Sequence, residues 1–331
     1  MTKLNEALFI CEAGSSVGFG HFMRCLALNE ELTSRGWKCK FAMDRESLCQ
    51  PLVKNHIETA FVLPEGINTD PAEIIKLHPK GFDWLFIDHY EIKKGRINEL
   101  RGWARGIAWF QDMPEQDVLA DFIIGYKSSE RCSVSGPLFI PLRAEIQKFR
   151  NLCRYNRLID RKKLVIFFGG VDGHNLSVMF AKLALDTFPD WTIDVVLSSA
   201  SQSCIAIRKI QTDNRQIKLH VDVDQPMSIM SDACFAIGAG GVNAFERCAI
   251  GLPSLVIATS QNQRTSIKTL AENGAATILS LSSMTPDIAK VSLEKFKSEV
   301  FRTKMSKAAL ATCDGLGAQR IANVICEWDF I

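Results

Sequence analysis

The stretch Ile237-Gly-Ala-Gly-Gly-Val-Asn-Ala-Phe-Glu-Arg-Cys-Ala-Ile-Gly-Leu-Pro253 predicts a strand that turns through glycines into a helix. The apolar run 233–237 at its start is typical of a short buried strand. The glycines that follow let the backbone turn sharply and approach a ligand without side chains in the way. Residues 243–250 then predict a helix, which Gly251 closes and Pro253 stops.

The start of this helix predicts a binding site for an anion. Unpaired N–H groups and the positive end of the helix dipole would lie beside Gly240 and Gly241, an arrangement that favours a phosphate. A single glycine cluster between a strand and a helix is equally typical of an ordinary turn. A second junction of the same kind, near the N-terminus, strengthens the hypothesis of a ligand site.

Length and composition indicate a globular protein of two domains. The chain has 331 residues, and domains of about 150 residues are typical. Its hydrophobic content of 47% and its charged content of 23% are ordinary for a protein with a substantial core. The formal net charge of +2 is too small to favour nucleic acid or an anionic membrane as a partner.

The cysteines and the apolar runs predict a reduced, cytoplasmic protein. The 11 cysteines are scattered without paired metal-ligand spacing, and several lie in apolar runs, where a reduced cysteine acts as a small hydrophobe. The run 4–11 is too short for a signal peptide and contains Asn5 and Glu6. No run approaches the roughly 20 apolar residues of a membrane-spanning helix, so we expect no stable membrane insertion.

The N-terminal stretch has the same order of strand, glycines and helix. Residues 7–11 predict a strand, 12–21 a glycine-rich loop, 22–32 a helix and 38–43 a second strand. This order is typical of a crossover unit in a parallel sheet, where ligands bind outside the carboxyl ends of the strands. The loop lies at such an end and is therefore a candidate for ligand binding.

His21 and Arg24 are the candidate functional side chains beside this loop. His21 directly follows Gly18-Phe-Gly20, and the ordinary histidine pKa near 6.5 suits proton transfer at neutral pH. The alternative is a histidine that only starts the helix or satisfies a backbone carbonyl. Arg24 lies one turn further along, where it would reach either an anionic ligand or a neighbouring carboxylate.

Carboxylates also follow two other predicted strands. Asp88 and Tyr90 come directly after the buried run 84–87, and Asp112 ends the next apolar strand. Both aspartates are expected at the same sheet edge as His21, although capping of the following segment is an equal alternative. A carboxylate such as Asp88 beside the histidine would orient its ring and raise its pKa.

The alternation of strands and helices is interrupted at 126–160 and resumes in the second half of the chain. Within the interruption, the charge-rich stretch from 143 predicts a connector between domains. The predicted boundaries are an N-terminal domain at 1–142, the connector at 143–162, a second domain at 163–312 and a terminal helix at 313–331. Alternating strands and helices in both halves predict an α/β protein of two doubly wound, Rossmann-like domains. A cleft between them would hold a nucleotide and its leaving partner.

Motifs of several other enzyme classes are absent from the sequence. The glycine loops match neither the Gly-x-x-x-x-Gly-Lys-Ser/Thr phosphate loop nor the Gly-x-Ser-x-Gly serine elbow. Gly18-Phe-Gly20 lacks the third glycine of a dinucleotide fingerprint, and potential zinc ligands do not cluster at zinc spacing. No cofactor and no metal are therefore expected.

Several motifs, in a fixed order, make the chain resemble one family of enzymes. They are Gly18-Phe-Gly-His-Phe-Met-Arg-Cys25, Ile87-Asp-His-Tyr90, Phe168-Gly-Gly-Val-Asp172 with Asn175, Ile237-Gly-Ala-Gly-Gly241, Glu246-Arg-Cys248, Gly251-Leu-Pro253 and Asn262-Gln263. Together they are similar to the UDP-2,4-diacetamido-2,4,6-trideoxy-β-L-altropyranose hydrolases of pseudaminic acid biosynthesis. That family in turn resembles the MurG-type GT-B glycosyltransferases, and the resemblance runs from about residue 9 to about residue 280.

The resemblance implies a GT-B fold, a UDP-sugar held mainly by the second domain, and no metal. Water would attack the anomeric carbon with inversion and release UDP and the free sugar. The family pattern places the general base or water-orienting group at His21 and active-site positioning groups at Tyr90, Asn262 and Gln263. It places a glutamate that grips the ribose hydroxyls at Glu246, for which a helix-dipole carboxylate is the alternative.

The predicted catalytic set is therefore His21, Asp88 and Tyr90. The predicted substrate-binding set is Gly18, Gly20, Arg24, Gly170, Asp172, Asn175, Gly240, Gly241, Val242, Asn243, Glu246, Asn262 and Gln263.

The chain departs from the family pattern at three places. Val242-Asn243 stands where many members carry small hydroxyl residues, which leaves backbone N–H groups and the Asn243 amide to bind the diphosphate. Gln111-Asp112 stands where an Asp pair is common, and Gly173 where proline is common. These changes bear on the identity of the sugar more than on the reaction class.

Three other function classes share this architecture. A GT-B glycosyltransferase would use the same UDP site and pass the sugar to an acceptor. A sugar-nucleotide 2-epimerase would be expected to keep more carboxylate and arginine groups. A catalytically inactive binding module is disfavoured by the presence of His21, Tyr90 and Asn262 together.

Overall fold

The computed structural model describes residues 5–14, 17–90, 94–112, 119–125, 133–155, 161–169 and 172–329, with the backbone alone at 94, 95, 154, 155, 261 and 262. The chain forms two compact units. One contains Met1–Arg143 and Leu316–Ile331, and the other contains Ala144–Gly315.

The strands and helices alternate along most of the chain. The strands are β1 (Glu6–Cys11), β2 (Lys38–Met43), β3 (Ala60–Val62), β4 (Phe82–Asp88), β5 (Ala104–Gln111), β6 (Phe122–Gly125), β7 (Val134–Ser135), β8 (Lys163–Phe167), β9 (Thr192–Leu197), β10 (Ile217–Val221), β11 (Phe235–Ala239), β12 (Ser254–Ala258) and β13 (Thr277–Ser280). The helices are α1 (Gly20–Ser34), α2 (Arg45–Cys49), α3 (Pro51–Lys54), α4 (Pro71–Leu77), α5 (Lys94–Glu99), α6 (Ile146–Tyr155), α7 (Leu176–Thr187), α8 (Ser203–Asp213), α9 (Pro226–Met230), α10 (Val242–Ala249), α11 (Gln261–Glu272), α12 (Pro286–Glu294), α13 (Glu299–Thr312) and α14 (Gly317–Cys326).

The first unit is built on a seven-stranded parallel sheet in the order β3-β2-β1-β4-β5-β6-β7. Phe9 and Phe86 belong to the core on one face, together with residues of α1, whereas Leu8 and Leu85 belong to the core on the other face. Because the central strands are buried on both faces, their sequences are continuous apolar runs and do not alternate with polar residues.

The C-terminal helix α14 belongs to the first unit. Its residues Ile321 and Ile325 lie in the same core as Phe22 of α1. Beyond the helix, the ring centroids of Trp328 and Trp84 are 5.5 Å apart. Helix α14 therefore completes the hydrophobic core of a unit that begins more than three hundred residues earlier in the chain.

The second unit is built on a six-stranded parallel sheet in the order β10-β9-β8-β11-β12-β13. Its core contains Phe180, Phe188, Phe235 and Phe296, all of them fully buried. Two parallel sheets, each joined by helices, confirm the predicted α/β class.

The strand order of each sheet reverses at one point, between β1 and β4 in the first unit and between β8 and β11 in the second. Ligands of doubly wound sheets bind at this point, outside the carboxyl ends of the strands. The glycine loops that the sequence identified follow β1 and β11, so each lies beside the reversal in its own unit.

The structure differs from the sequence-based interpretation at the predicted connector. Part of the stretch 143–162 forms α6, in which Arg150 donates hydrogen bonds to the backbone carbonyls of Leu310 and Cys313 at 2.8 Å each. This helix is part of the second unit. Helix α11 begins at Gln261, so the predicted positioning pair Asn262 and Gln263 lies in its first turn.

Among the described residues, no helix is both long enough and apolar enough to span a lipid bilayer.

Candidate active site

The carboxyl ends of β1 and β4 bring two acidic groups and one imidazole together in the first unit. Cys11 pairs with Asp88 in the register of the two strands, so the residues that follow, Glu12 and His89, leave the sheet side by side. The His89 Nε2 and Glu12 Oε2 atoms are 3.3 Å apart. The same register places Asp88 one strand away from the start of the glycine loop.

Arg24 is held between two carboxylates. Its guanidinium donates hydrogen bonds to both oxygens of Asp88, and Nη1 donates to Asp112 Oδ1 at 2.7 Å. The side chain is buried, and its Cζ lies 5.0 Å from the centroid of the Phe110 ring. Of the two partners expected for Arg24, the structure therefore shows the neighbouring carboxylates.

The charge of Arg24 also controls the ionisation of Asp112. Burial raises the pKa of this carboxyl, but the adjacent guanidinium and its hydrogen bond outweigh burial, so the pKa of Asp112 is lowered. Asp112 is therefore ionised at neutral pH, and it accepts a hydrogen bond from the Tyr90 hydroxyl at 2.6 Å.

Tyr90 is a hydrogen-bond donor in this arrangement. Burial, followed by the negative charge of Asp112, raises the pKa of its hydroxyl far above the ordinary value. Its ring meets the ring of His21 edge to face, with centroids 4.4 Å apart at 72°. Tyr90 therefore stays protonated at neutral pH. Its ring packs against the ring of His21, and its hydroxyl does not compete with His21 as a base.

His21 is the second residue of α1 and is 6% exposed. Its Nδ1 lies 3.7 Å from Asp88 Oδ1 and 3.8 Å from Glu12 Oε1, which is too long for a hydrogen bond. Within the described part of the chain this buried nitrogen has no hydrogen-bond partner. Both nearby groups are acceptors, so they favour the tautomer with the proton on Nδ1 and leave Nε2 as a base.

The pKa of His21 is lowered overall, although Asp88 by itself raises it as the sequence predicted. Burial is the largest cause and favours the neutral ring, and the charge of Arg24 acts in the same direction. The charge of Asp88 acts in the opposite direction but is outweighed. A neutral imidazole is the form that can accept a proton, so burial suits His21 to general-base catalysis.

This lowered pKa predicts a pH-dependent contribution to stability. Unfolded histidine titrates near 6.5, so below that pH the unfolded chain binds a proton at His21 that the folded chain does not. The free energy of unfolding should therefore fall as the pH drops from about 6.5 toward the folded pKa. Urea unfolding at pH 7.5 and 5.5 should show a smaller acid loss for His21→Asn than for the wild type. Equal losses in the two proteins would contradict a neutral, buried His21.

In the second unit, the glycines between β11 and α10 have different roles. A Cβ on Gly238 would lie 2.3 Å from the carbonyl oxygen of Phe167, and one on Gly240 would lie 2.8 Å from Ile267 Cδ1. These two glycines allow close packing. A Cβ on Gly241 would meet nothing within 4 Å, and no side-chain hydrogen bond caps the start of α10 there. Gly241 is thus the glycine that leaves open space at the helix N-terminus.

The first turns of α10 contain a chain of polar contacts. Buried Arg247 donates to Asn243 Oδ1, and Asn243 Nδ2 donates to Glu246 Oε2 at 2.8 Å. Both ends of the Asn243 amide are therefore engaged within the helix. The amide expected to serve the diphosphate instead orients the Glu246 carboxylate.

Gln263 holds the loop from its other side. Its Oε1 accepts hydrogen bonds from the N–H groups of Thr259 and Gly240, at 3.0 and 3.3 Å, and from the Thr259 hydroxyl at 3.0 Å. The side chain thus joins the ends of β11 and β12.

Asp172 and Asn175 hold the other glycine loop of this unit. Asp172 accepts hydrogen bonds from the N–H groups of Leu176 and Ser177, at 3.0 Å each, and from the hydroxyl of Ser203 at 2.9 Å. The same hydroxyl donates to Asn175 Oδ1 at 3.0 Å. The carboxylate occupies the start of α7, so the open helix start at this sheet reversal is that of α10.

The remaining predicted residues have simple positions. Gly18 adopts a φ of 79° and exchanges two backbone hydrogen bonds with Gly14, so these two residues of the first glycine loop lie side by side. Gly20 begins α1. Val242 begins α10 and is buried. Gly170 and the Asn262 side chain lie outside the described residues.

Sequence reasoning assigned no role to Glu12, His89 or Arg247. Glu12 and His89 each directly follow a buried strand, the same signal that identified Asp112, and that signal would have found them. Arg247 carries no such signal, because an arginine in a helix is usually exposed.

No three His, Cys, Asp or Glu side chains in the described ranges are grouped so that they would hold a metal ion.

Comparison with known proteins shows which folds and sequences this chain is similar to. No family model matches the chain. Over 194 residues it is 27% identical to the spore coat polysaccharide biosynthesis protein SpsG of Bacillus subtilis, and this match covers 57% of the chain and 57% of SpsG. The chain thus spans little more than half the length of this curated relative.

Solved structures resemble the chain along nearly its whole length. MurG of Acinetobacter baumannii superposes with a TM-score of 0.68 at 13% identity, covering 98% of this chain and 100% of MurG. The fold is of the GT-B type. The UDP-GlcNAc 2-epimerase of Neisseria meningitidis, solved with UDP-GlcNAc, has a TM-score of 0.67 at 10% identity and covers 98% of this chain and 100% of the epimerase. At such identities these two likenesses describe the fold and not the reaction.

Proposed function

We propose that this protein hydrolyses a UDP-linked diacetamido-trideoxyhexose to UDP and the free sugar, as a step of pseudaminic (nonulosonic) acid biosynthesis. The observation that carries the proposal is the buried, neutral His21, which lies beside Asp88 and Glu12 and against Tyr90. A base held beside orienting carboxylates is the arrangement that activates a weak nucleophile. Together with the ordered motifs of the hydrolase family, it favours water as that nucleophile.

In this mechanism Nε2 of His21 accepts a proton from water as the water oxygen bonds to the anomeric carbon. The bond between that carbon and the diphosphate oxygen breaks, and its electron pair leaves with UDP. Asp88 and Glu12 stabilise the imidazolium that forms, because opposite charges within about 4 Å favour the protonated ring. Tyr90 stays a donor and orients groups near the ring.

The second unit would bind the nucleotide. The open start of α10 at Gly241 offers N–H groups and the positive end of the helix dipole to the diphosphate. Glu246, oriented by Asn243, would accept hydrogen bonds from the ribose hydroxyls. The neighbour solved with UDP-GlcNAc supports a nucleotide-sugar ligand, and the likeness to SpsG supports a role in the biosynthesis of a surface polysaccharide.

A GT-B glycosyltransferase is the second candidate, and the likeness to MurG favours it. It would use the same base to activate an acceptor hydroxyl. The two candidates differ in one observable respect, since only a hydrolase releases UDP at full rate when no acceptor is present.

Incubation of the purified protein with a panel of UDP-sugars tests both the reaction and the bond that breaks. We expect UDP release without acceptor from a diacetamido-trideoxyhexose donor, also in the presence of a chelator. In ¹⁸O-labelled water the label should enter the sugar, as mass spectrometry would show. Label in UDP would mean attack at phosphorus and overturn the mechanism, and release only after addition of an acceptor would favour the transferase.

A further inference from the structure

Arg247 is a fully buried cation in the helix that follows the glycine turn. It is 0% exposed, and its guanidinium reaches back along α10, where Nη2 donates to the carbonyl of Ala239 at 2.8 Å and Nη1 donates to Asn243 Oδ1. Ala239 is the last residue of β11 and Asn243 lies in the first turn of α10. The charge therefore lies between the strand end and the helix start.

The guanidinium of Arg247 donates to neutral acceptors, and the Glu246 carboxylate, which is linked to it through Asn243, is the negative charge that favours its protonated form. Both of these acceptors are uncharged, and within the described residues the Nε atom of Arg247 has no hydrogen-bond partner. Burial lowers the pKa of the side chain to about 10, so it remains charged at neutral pH. Burying a charge is costly even with one carboxylate nearby, and a further anion that binds close to the charge reduces that cost.

The guanidinium lies against the glycine turn that leads into the open helix start. A Cβ on Gly238 would lie 2.8 Å from Nη1 of Arg247, so the guanidinium packs directly against the glycine turn. Three residues further along, Gly241 borders open space, and its side of the helix start has no side-chain cap. The charge and the positive end of the helix dipole thus act on the same place.

We propose that Arg247 strengthens the binding of a diphosphate at Gly241 through its charge, from beneath the turn and without direct contact. It is a positioning residue that favours a nucleoside diphosphate over the uncharged nucleoside. This inference rests on the nucleotide site of the proposed function. It also explains why the chain keeps a cation at a position where an apolar side chain would pack without an electrostatic cost.

The test compares the affinities of UDP and uridine. In Arg247→Gln and Arg247→Met we expect UDP affinity, measured by calorimetry, to fall about tenfold to a hundredfold, the effect of one unit charge at close range in a protein. Uridine affinity, measured by NMR titration, should stay within about twofold, because uridine carries no charge.

Arg302→Gln is the matched control. Arg302 is also a buried arginine of the second unit, where it donates to the carbonyls of Phe296 and Lys297 and lies over the Trp191 ring. Its replacement should lower the melting temperature and leave both affinities unchanged. A variant at 247 that binds UDP like the wild type, or that loses UDP and uridine equally, overturns the proposal.

Arg247→Lys keeps the positive charge and changes the hydrogen bonds. It therefore tests whether the charge of residue 247 strengthens UDP binding even if the neutral variants fail to fold. We expect its UDP affinity to stay within about threefold of the wild type. A loss as large as tenfold would show that hydrogen bonding, and not charge, is what matters. A wild-type protein that does not bind UDP would instead refute the proposed function itself.

Discussion

His21→Asn is expected to lower the turnover number by at least about a hundredfold, the usual contribution of a general base. Asparagine keeps a similar size and hydrogen-bonding capacity but cannot accept a proton at neutral pH. UDP affinity should change little, because the proposed nucleotide site is in the second unit. Steady-state assay of UDP release and calorimetry with UDP measure the two quantities.

His56→Asn provides the control for this experiment. His56 belongs to the same unit; its Nδ1 lies 2.9 Å from the carbonyl oxygen of Leu52, and its ring meets the edge of the Phe22 ring. Its replacement should leave turnover unchanged. If His21→Asn also keeps near-normal turnover, then His21 is only a residue of the helix start, and the base must be sought at Asp88 or Asp112.

The pH dependence of the wild type adds a second measurement. The pKa of His21 is lowered by burial, so the acid limb of the kcat/KM profile should lie below about pH 6.5. The limb should be absent from the residual activity of His21→Asn. An acid limb that persists unchanged in the variant would assign it to another group.

Gly241→Asp is expected to reduce UDP affinity by more than about a hundredfold and to leave the fold intact. Gly241 is the N-cap of α10, with φ −75° and ψ −160°, which an L-residue adopts without strain. The new side chain would enter open space, where aspartate caps a helix well and stabilises it. Its carboxylate would occupy the N–H groups and repel the diphosphate.

Gly241→Asn separates the charge from the shape of the new side chain. Asparagine caps the helix as aspartate does but carries no charge, so we expect a clearly smaller loss of UDP affinity. Calorimetry gives both affinities, and thermal melts should show both variants at least as stable as the wild type. Unchanged UDP affinity in Gly241→Asp would refute the site.

The regular elements were largely predictable from local patterns. The structure has β2 (Lys38–Met43) at the bounds that the sequence predicted, and β1 (Glu6–Cys11) begins one residue before the predicted strand. Strands buried on both faces are continuous apolar runs, and glycine and proline mark the turns between them. α6 was missed because its charged sequence was interpreted as solvated, whereas Arg150 anchors it to Leu310 and Cys313.

The candidate site was only partly predictable. The sequence pointed to His21, Asp88 and Gly241 because each lies at the carboxyl end of a predicted strand or in the loop that follows, where ligands of parallel sheets bind. It left two partners open for Arg24, and it assigned the Asn243 amide to the diphosphate. These partners depend on side chains from other strands and turns, which local sequence does not specify.

The sequence by itself determined the α/β class, the two glycine junctions and the placement of His21 at a strand end, since these follow from local periodicity and glycine spacing. Only the tertiary structure decided the electrostatics. The register of β1 with β4 places Glu12 beside His89. Asp88 and Asp112, at the ends of two strands, enclose the guanidinium of Arg24. Burial lowers the pKa of His21 although carboxylates lie close to its ring. A pKa depends on which groups and how much solvent surround a side chain in space, and that is settled by packing.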